Sequence, residues 1–191
     1  LAEEAQARGE LVLAGALAEP VDSALLVFRA ADRAVVERFV DDPQATLRGV
    51  SRVTPLRSAR WLADKVGGPV DLKCENLQRA GSFKIRGAYV RLARLSDEER
   101  SRGVVAASAG NHAQGVALAA SMLGVPTTVF MPVGAPLPKV SATRGYGADI
   151  RFVGSSVDEA LVAARAFSDE TGAVLIHPFD HADIVAGQGT V

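Results

Sequence analysis

The stretch GVVAASAGNHAQGVALAASMLG, residues 103–124, decides the fold. Its first part is a short and almost wholly apolar run, which is typical of a strand buried on both faces of a parallel sheet. A turn of small residues then leads into a longer apolar pattern with helical spacing, which ends at Gly124. The stretch therefore predicts a strand followed by a helix, the repeating unit of α/β proteins.

The same order recurs on both sides of this unit. Upstream, the strand-like VDLKCE (70–75) precedes the helical pattern SFKIRGAYVRLARL (82–95). Downstream, three further strand-like runs each precede a helical pattern, namely TTVFMP, DIRFVG and AVLIHP. A capping box of Ser156 and Glu159 is predicted to begin the helix after DIRFVG. We therefore predict an α/β fold with a doubly wound, mostly parallel sheet over residues 46–191.

The first 45 residues follow a different pattern and are predicted to form a separate, small α+β segment. An amphipathic run, LAEEAQAR, is followed by two strand-like runs, ELVLAGAL and SALLVFRA, and by a helical pattern from Asp32. The predicted organisation is thus a segment of residues 1–45 and a larger domain of residues 46–191. In the larger domain, the short helix within SARWLADKVG is expected to place Trp61 and Leu62 in the core.

Composition excludes several classes of partner. The net charge is -1 and basic residues do not cluster, which argues against nucleic acid. No apolar run approaches the roughly 20 residues of a membrane span, and the expectation is a protein without a membrane partner. The single cysteine, Cys74, cannot form an internal disulfide and suits a reducing cytoplasm. A small neutral or zwitterionic ligand is compatible with all of these properties.

The turn SAGNHAQG, residues 108–115, has the features of a binding site for an anion. Ser108, Ala109 and Gly110 are small, so a ligand can approach the backbone, and the N-terminus of the following helix favours a carboxylate or phosphate. Asn111 adds a hydrogen-bond donor and an acceptor, and His112 adds an ionisable ring. For this stretch alone, a turn capped by Ser or Asn with a structural histidine is the simpler interpretation.

Lys84 is unusual because it lies near the N-terminus of an otherwise apolar helix. The helix dipole and the neighbouring Arg86 both disfavour an ammonium there, so both lower the pKa of the lysine if the site is dry. An amine of that kind is a nucleophile that forms Schiff bases with carbonyl compounds, including pyridoxal phosphate. From this stretch alone, a lysine that merely buries its aliphatic stem is the simpler interpretation.

Four strings taken together resemble one enzyme family. They are KCENLQRAGSFKIRGAYVRL (73–92), SAGNHAQGVALAA (108–120), MPVGAPLPKVSATRGYGADI (131–150) and IHPFDHADIVAGQGTV (176–191). They resemble the threonine/serine dehydratases, or threonine ammonia-lyases, which are fold-type II (tryptophan-synthase-β-like) pyridoxal phosphate enzymes. The resemblance covers residues 47–191. It implies a cytoplasmic lyase of amino-acid metabolism, as in isoleucine biosynthesis, and a homo-oligomer, either a dimer or a tetramer.

The resemblance also implies a role for each candidate residue. Lys84 would hold the cofactor as a Schiff base and act as the catalytic base, and Phe83 would pack beside the pyridine ring. Asn111 would hydrogen-bond the phenolic oxygen of the cofactor. The backbone from Ser108 to His112, which includes Ala109 and Gly110, would bind the substrate carboxylate. The implied reaction is β-elimination from L-threonine or L-serine, which gives ammonia and a 2-oxo acid.

Three alternatives remain open. Serine racemases in the related group carry a serine as second base where this chain has Ala109, so elimination is expected over racemisation. Enzymes of β-replacement usually show Lys-Asp-Arg and Asn-Thr-Gly, whereas this chain has Lys84-Ile85-Arg86 and Asn111-His112-Ala113. A third alternative is a non-catalytic fragment or fusion, because the family's four-glycine phosphate loop and its late serine or cysteine do not occur. The chain is accordingly expected to be the first part of such a catalytic domain, with reduced affinity for the cofactor.

The amino-terminal segment and the last pair of histidines give two further expectations. Residues 1–43 weakly resemble the middle of a YCII-related domain, a small dimerising α+β module. His177 and His181, with Asp180 and Asp183 between and beside them, have the residue types of a metal site. Because they follow a buried strand in a string that matches the dehydratases, we expect no metal there.

Overall fold

The amino-terminal strands form a hairpin. The computed structural model describes residues 11–17, 23–28 and 43–191. Strand β1 (Leu11–Leu17) pairs antiparallel with β2 (Ser23–Phe28), as the two apolar runs predict. The helices predicted at LAEEAQAR and from Asp32 lie outside the described residues.

A small antiparallel ribbon precedes the main sheet. It consists of β3 (Leu56–Ser58) and β4 (Asp71–Lys73), which are joined through helix α1 (Arg60–Val66). The prediction that VDLKCE contributes a strand to the parallel sheet is therefore wrong. Asp71 and Leu72 are exposed, so β4 lacks the buried faces that a strand of a parallel sheet requires.

The rest of the chain alternates between helices and strands, as predicted. A short 3-10 helix (Glu75–Leu77) leads toward the first long helix. The elements that follow are α2 (Lys84–Ala93), α3 (Asp97–Arg102), β5 (Val104–Ala107), α4 (Asn111–Leu123), β6 (Thr127–Met131), α5 (Leu137–Gly145), β7 (Asp149–Phe152), α6 (Val157–Thr171), β8 (Val174–Leu175) and α7 (Ala182–Gln188). No helix in the described part of the chain is long and apolar enough to cross a membrane.

The four later strands form a parallel sheet in the order β7-β6-β5-β8. Successive side chains of a strand point to opposite faces, so each face needs its own cover. Val129 and Met131 pack against α4, whereas Phe130, between them, packs with Ala160 and Ala164 of α6. Helices therefore cover both faces, and the prediction of a doubly wound α/β fold is confirmed.

The strand order reverses direction at β5. From β5 the chain continues outward through β6 to β7, and it then returns to place β8 on the other side of β5. Ligands of such sheets bind where the strand order reverses, outside the carboxyl ends of the strands. The turn after β5 and the loop after β8 are thus where a site is expected, and both contain candidate residues.

Helix ends follow the local sequence signals. Ser156 accepts a hydrogen bond from the Glu159 backbone nitrogen, as predicted, but the Glu159 carboxylate accepts from the backbone of Ser155 instead of that of Ser156. A complete capping box forms at Ser96 and Glu99 of α3. The expectation for α1 is wrong, since Trp61 is 64% exposed and no residue of α1 is buried.

Candidate functional site

Lys84 is the first residue of α2, and the backbone of α2 lies very close to α4. A Cβ atom built on Gly115 of α4 would lie 3.0 to 3.1 Å from the backbone carbon, the oxygen and the Cβ of Lys84. Such distances are shorter than ordinary van der Waals contacts, so even a methyl group at position 115 would require a small shift of α2. Glycine there lets α4, which begins at Asn111, pack directly against the residue that carries the candidate amine.

The Lys84 amine is buried without a countercharge. The side chain is 6% exposed, and its Nζ donates a hydrogen bond of 2.9 Å to the carbonyl oxygen of Pro178, in the loop after β8. No carboxylate of the described residues forms an ion pair with it. Burial lowers the pKa of Lys84 below its ordinary value, because the uncharged amine loses less on leaving water.

Arg86 does not contribute to that lowered pKa, contrary to the sequence-based expectation. Its Nε and Nη2 atoms lie 2.8 and 3.0 Å from the two carboxylate oxygens of Glu75, which neutralises its charge. Glu75 also accepts a hydrogen bond of 2.6 Å from the Thr54 hydroxyl, and Arg86 donates one of 3.1 Å to the Thr190 hydroxyl. Burial raises the pKa of Glu75, but these hydrogen bonds outweigh burial and hold the pKa below its ordinary value.

The turn after β5 places its small residues at the N-terminus of α4. Gly110 is the N-cap residue and supplies no side chain. The Ser108 hydroxyl accepts a hydrogen bond of 3.1 Å from the Gly110 nitrogen within the turn. The interpretation of a helix capped by Ser or Asn is therefore wrong. The positive end of α4 is left without a side-chain cap, which is the arrangement that favours an anion.

His112 is a neutral structural residue, as the simpler interpretation of the sequence predicts. Its ring is buried, and Nε2 donates a hydrogen bond of 2.8 Å to the carbonyl oxygen of Ile176, the residue directly after β8. Burial lowers the pKa of His112 to about 3, although the hydrogen bond to Ile176 opposes this, and the positive charge of Lys84 lowers it further. The ring cannot supply a charge to a substrate, but it ties the start of α4 to the end of β8.

A cavity of about 840 Å³ lies beside these residues. Phe83 and Asn111 line it, whereas Lys84 is not among its lining residues and contacts Pro178 instead. Lys139, in the helix after β6, also lines the cavity, and its Nζ lies 2.5 Å from the Asn111 Oδ1. Sequence reasoning missed Lys139, although its position shortly after a buried strand was a usable signal.

The histidines after β8 accept hydrogen bonds from backbone N–H groups two or three residues later. His177 Nδ1 accepts a hydrogen bond of 2.8 Å from the Asp180 nitrogen. His181 is the N-cap residue of α7, and its Nδ1 accepts a hydrogen bond of 3.1 Å from the Asp183 nitrogen. Among the residues that the structure describes, no group of three or more histidines, cysteines or carboxylates could hold a metal ion.

Comparison with known proteins identifies one family and several relatives. The family described as "Pyridoxal-phosphate dependent enzyme" matches residues 47–191, more than half of the chain. An L-threonine ammonia-lyase of Thermotoga maritima is 53% identical over 152 residues, which are 80% of this chain and 38% of that protein. An L-threonine ammonia-lyase of Geobacter sulfurreducens is 48% identical over 80% of this chain and 38% of its own length.

Solved structures show the same likeness. The processed form of threonine deaminase isoform 2 from Solanum lycopersicum superimposes with a TM-score of 0.75 at 40% identity, over 84% of this chain and 47% of that one. Maize serine racemase superimposes with a TM-score of 0.75 at 39% identity, over 80% of this chain and 46% of that one. The chain spans less than half the length of each of these relatives.

Proposed function

The chain belongs to the pyridoxal-phosphate dependent enzyme family, and from this membership we propose that it takes part in β-elimination from L-threonine or L-serine. The products of that reaction are ammonia and a 2-oxo acid. The observation that carries the proposal is a buried amine, Lys84, which lacks a countercharge among the described residues and lies at the point where the strand order reverses. The relatives named threonine ammonia-lyase support the choice of substrate class.

The residues present fit the aldehyde end of the cofactor. A buried amine with a lowered pKa is suited to hold an aldehyde covalently, and Lys84 meets that description. Phe83 lines the cavity beside it and would pack against the cofactor ring, and Asn111 lines the same cavity with a polar amide. When bound, pyridoxal phosphate supplies an electron sink that accommodates negative charge at the substrate α-carbon.

The chain itself supplies the base and the carboxylate site in this proposal. Once the substrate amine has replaced the Lys84 amine on the aldehyde, the freed Nζ of Lys84 would accept the proton of the substrate α-carbon, because burial keeps more of the amine unprotonated than in water. The backbone from Ser108 to His112 binds the substrate carboxylate at the uncapped N-terminus of α4. Elimination of the β-hydroxyl as water, followed by hydrolysis, releases ammonia and the 2-oxo acid.

Elimination is favoured over racemisation by the residue at position 109. Racemisation needs a second group that gives a proton to the opposite face of the α-carbon, and the methyl group of Ala109 has no exchangeable proton. Ala109 is half-buried and packs against the core beneath α4 and β6. We accordingly propose a lyase rather than a racemase, even though serine racemases are among the similar structures.

Two properties of the whole protein are also proposed. We expect a cytoplasmic location, since the single Cys74 suits a reducing compartment. We expect a homo-oligomer, either a dimer or a tetramer, and sedimentation velocity measures this directly. A monomer at every protein concentration would contradict the second proposal.

The test is chemical trapping of the Lys84 adduct. Incubation with pyridoxal phosphate and borohydride should fix the cofactor on Lys84, as read by mass spectrometry of the digested chain. The variant Lys84→Ala should lose the adduct and any release of ammonia from threonine, whereas Lys65→Ala, at an exposed site of α1, should lose neither. An adduct that forms equally in Lys84→Ala would exclude Lys84 as the anchor.

A further inference from the structure

Lys139 directs its charge at a single side chain. It lies in α5, and its Nζ donates to the Oδ1 atom of Asn111 at 2.5 Å, with both residues lining the 840 Å³ cavity. No carboxylate of the described residues forms an ion pair with Lys139. Its ammonium is therefore not neutralised by an acidic partner in the described part of the chain, and the Asn111 amide oxygen is its hydrogen-bond acceptor.

This contact fixes the orientation of the Asn111 amide. An ammonium group is only a donor, so the atom of Asn111 that faces Lys139 must be the carbonyl oxygen. The amide nitrogen then lies on the other side of the group. A charged donor on the oxygen also polarises the amide, which makes its N–H groups stronger donors.

We propose that Lys139 is a positioning residue, which holds Asn111 as a hydrogen-bond donor toward an anionic oxygen in the cavity. The ligand class is an aromatic phenolate, as in the cofactor of this family, so the inference rests on the proposed function. Lys139 acts through Asn111 and not by touching the ligand. Lysine at position 139 thus sets both the direction and the strength of the Asn111 donor.

The first measurement needs no ligand. The chain contains two asparagines, Asn76 and Asn111, so selective ¹⁵N labelling of asparagine gives two side-chain amide signals. Replacing Lys139 by Met should shift the Asn111 signal upfield and speed rotation of its amide group, because the charged donor is lost. Lys139→Arg should preserve the signal, and Lys65→Met serves as the control. An unchanged Asn111 signal in Lys139→Met would overturn the contact.

The second measurement is a double-mutant cycle on cofactor affinity, followed by visible absorbance. Lys139→Met and Asn111→Ala should each weaken binding of pyridoxal phosphate about tenfold, the equivalent of one charge-assisted hydrogen bond. In the Asn111→Ala background, Lys139→Met should weaken cofactor binding by less than about a further twofold, because the side chain that Lys139 orients is already absent. Lys139→Arg should bind like the original chain.

The outcomes separate this inference from the proposed function. Absence of any adduct in the unaltered chain contradicts the proposed function, and the amide signals then decide whether Lys139 fixes Asn111. Normal binding and absorbance in Lys139→Met, with an adduct on Lys84, overturns the inference and leaves the proposed function standing. If the two substitutions have additive effects on the free energy of cofactor binding, the inference is also overturned, because Lys139 would then act on the ligand directly.

Discussion

His112 makes the stability of the folded chain depend on pH. Its folded-state pKa of about 3 lies below the ordinary value of 6.5, so the folded state binds fewer protons than the unfolded state. The stabilising effect is fully present above about pH 6.5, and it is lost as the pH falls toward 3. Between pH 7 and pH 5 the free energy of unfolding should fall by about 2 kcal/mol from this group.

Urea unfolding at the two pH values measures this effect. The variant His112→Gln, which keeps a donor for the Ile176 carbonyl, should lose about 2 kcal/mol less than the original chain between pH 7 and pH 5. His177→Gln is the comparison, since burial also lowers the pKa of His177, but that ring is only half-buried. Equal losses in the original chain and in His112→Gln would show that the ring does not remain neutral in the folded protein.

At residue scale, the sequence predicted the sign of the Lys84 effect but not its cause. The sequence analysis predicted a lowered pKa of Lys84 from the helix dipole and from the charge of Arg86. The pKa is indeed lowered, but the cause is burial. Arg86 has no such effect because Glu75, eleven residues earlier, neutralises it. A buried ion pair between distant positions carries no periodic signal, so a single sequence gives no means of seeing it.

At the scale of elements, the packing of α2 against α4 depends on the absence of one side chain. Gly115→Ala places a methyl group 3.0 to 3.1 Å from Lys84 backbone and Cβ atoms, so α2 and α4 must move apart by a few tenths of an ångström to accommodate it. We expect a loss of about 1–3 kcal/mol in unfolding free energy from this overpacking. Weaker trapping of cofactor on Lys84 should accompany the loss.

Gly145→Ala is the matched control for this substitution. Gly145 is also helical, at the end of α5, but a Cβ atom there meets nothing within 4 Å. Alanine should therefore leave stability unchanged or raise it by about 0.4–1 kcal/mol. Comparable losses of unfolding free energy in Gly115→Ala and Gly145→Ala would show that the contact between α2 and α4 has room for a methyl group.

Elements of the parallel sheet and its helices were predictable from the sequence. From β5 to α7 every strand and helix occurs where the sequence patterns predict it. The central strands β5 and β6 are largely buried and give continuous apolar runs, whereas the edge strand β7 is mostly exposed and was predicted from its place in the alternation of strands and helices. The ribbon of β3 and β4 was misassigned since three-residue exposed strands leave no such pattern. Trp61 was misassigned for a related reason, as its helix α1 has no buried face.

At the scale of the molecule, residues 47–191 alone match the family, so the preceding segment should be dispensable for the fold of that region. A variant that begins at residue 43 should unfold at the same urea concentration as the full chain. If residues 1–45 form the association module that their weak YCII resemblance implies, the shortened variant should also sediment as a smaller species. A lower unfolding midpoint would show that the two regions stabilise each other.

The site could be predicted only in part, because its members come from distant segments. Lys84 and Asn111 are recognisable, since each follows a turn at the start of a helix. Pro178, which receives the Lys84 hydrogen bond, lies 94 positions along the chain, and Lys139 lies 28 positions after Asn111. Only the sheet order brings β8 and β6 to the two sides of β5, and sequence periodicity does not specify that order.

The close glycine contacts around α2 have a consequence for mutational screening. A Cβ atom on Gly87 would come within 2.7 Å of the Ile184 carbonyl oxygen, and one on Gly187 within 2.6 Å of the Gly87 Cα. Together with Gly115, these positions should tolerate few replacements in a saturation library, as Lys84 should. A loss of activity alone would therefore not separate glycines that let helices pack closely from the residue that carries the amine, whereas a stability assay run in parallel would.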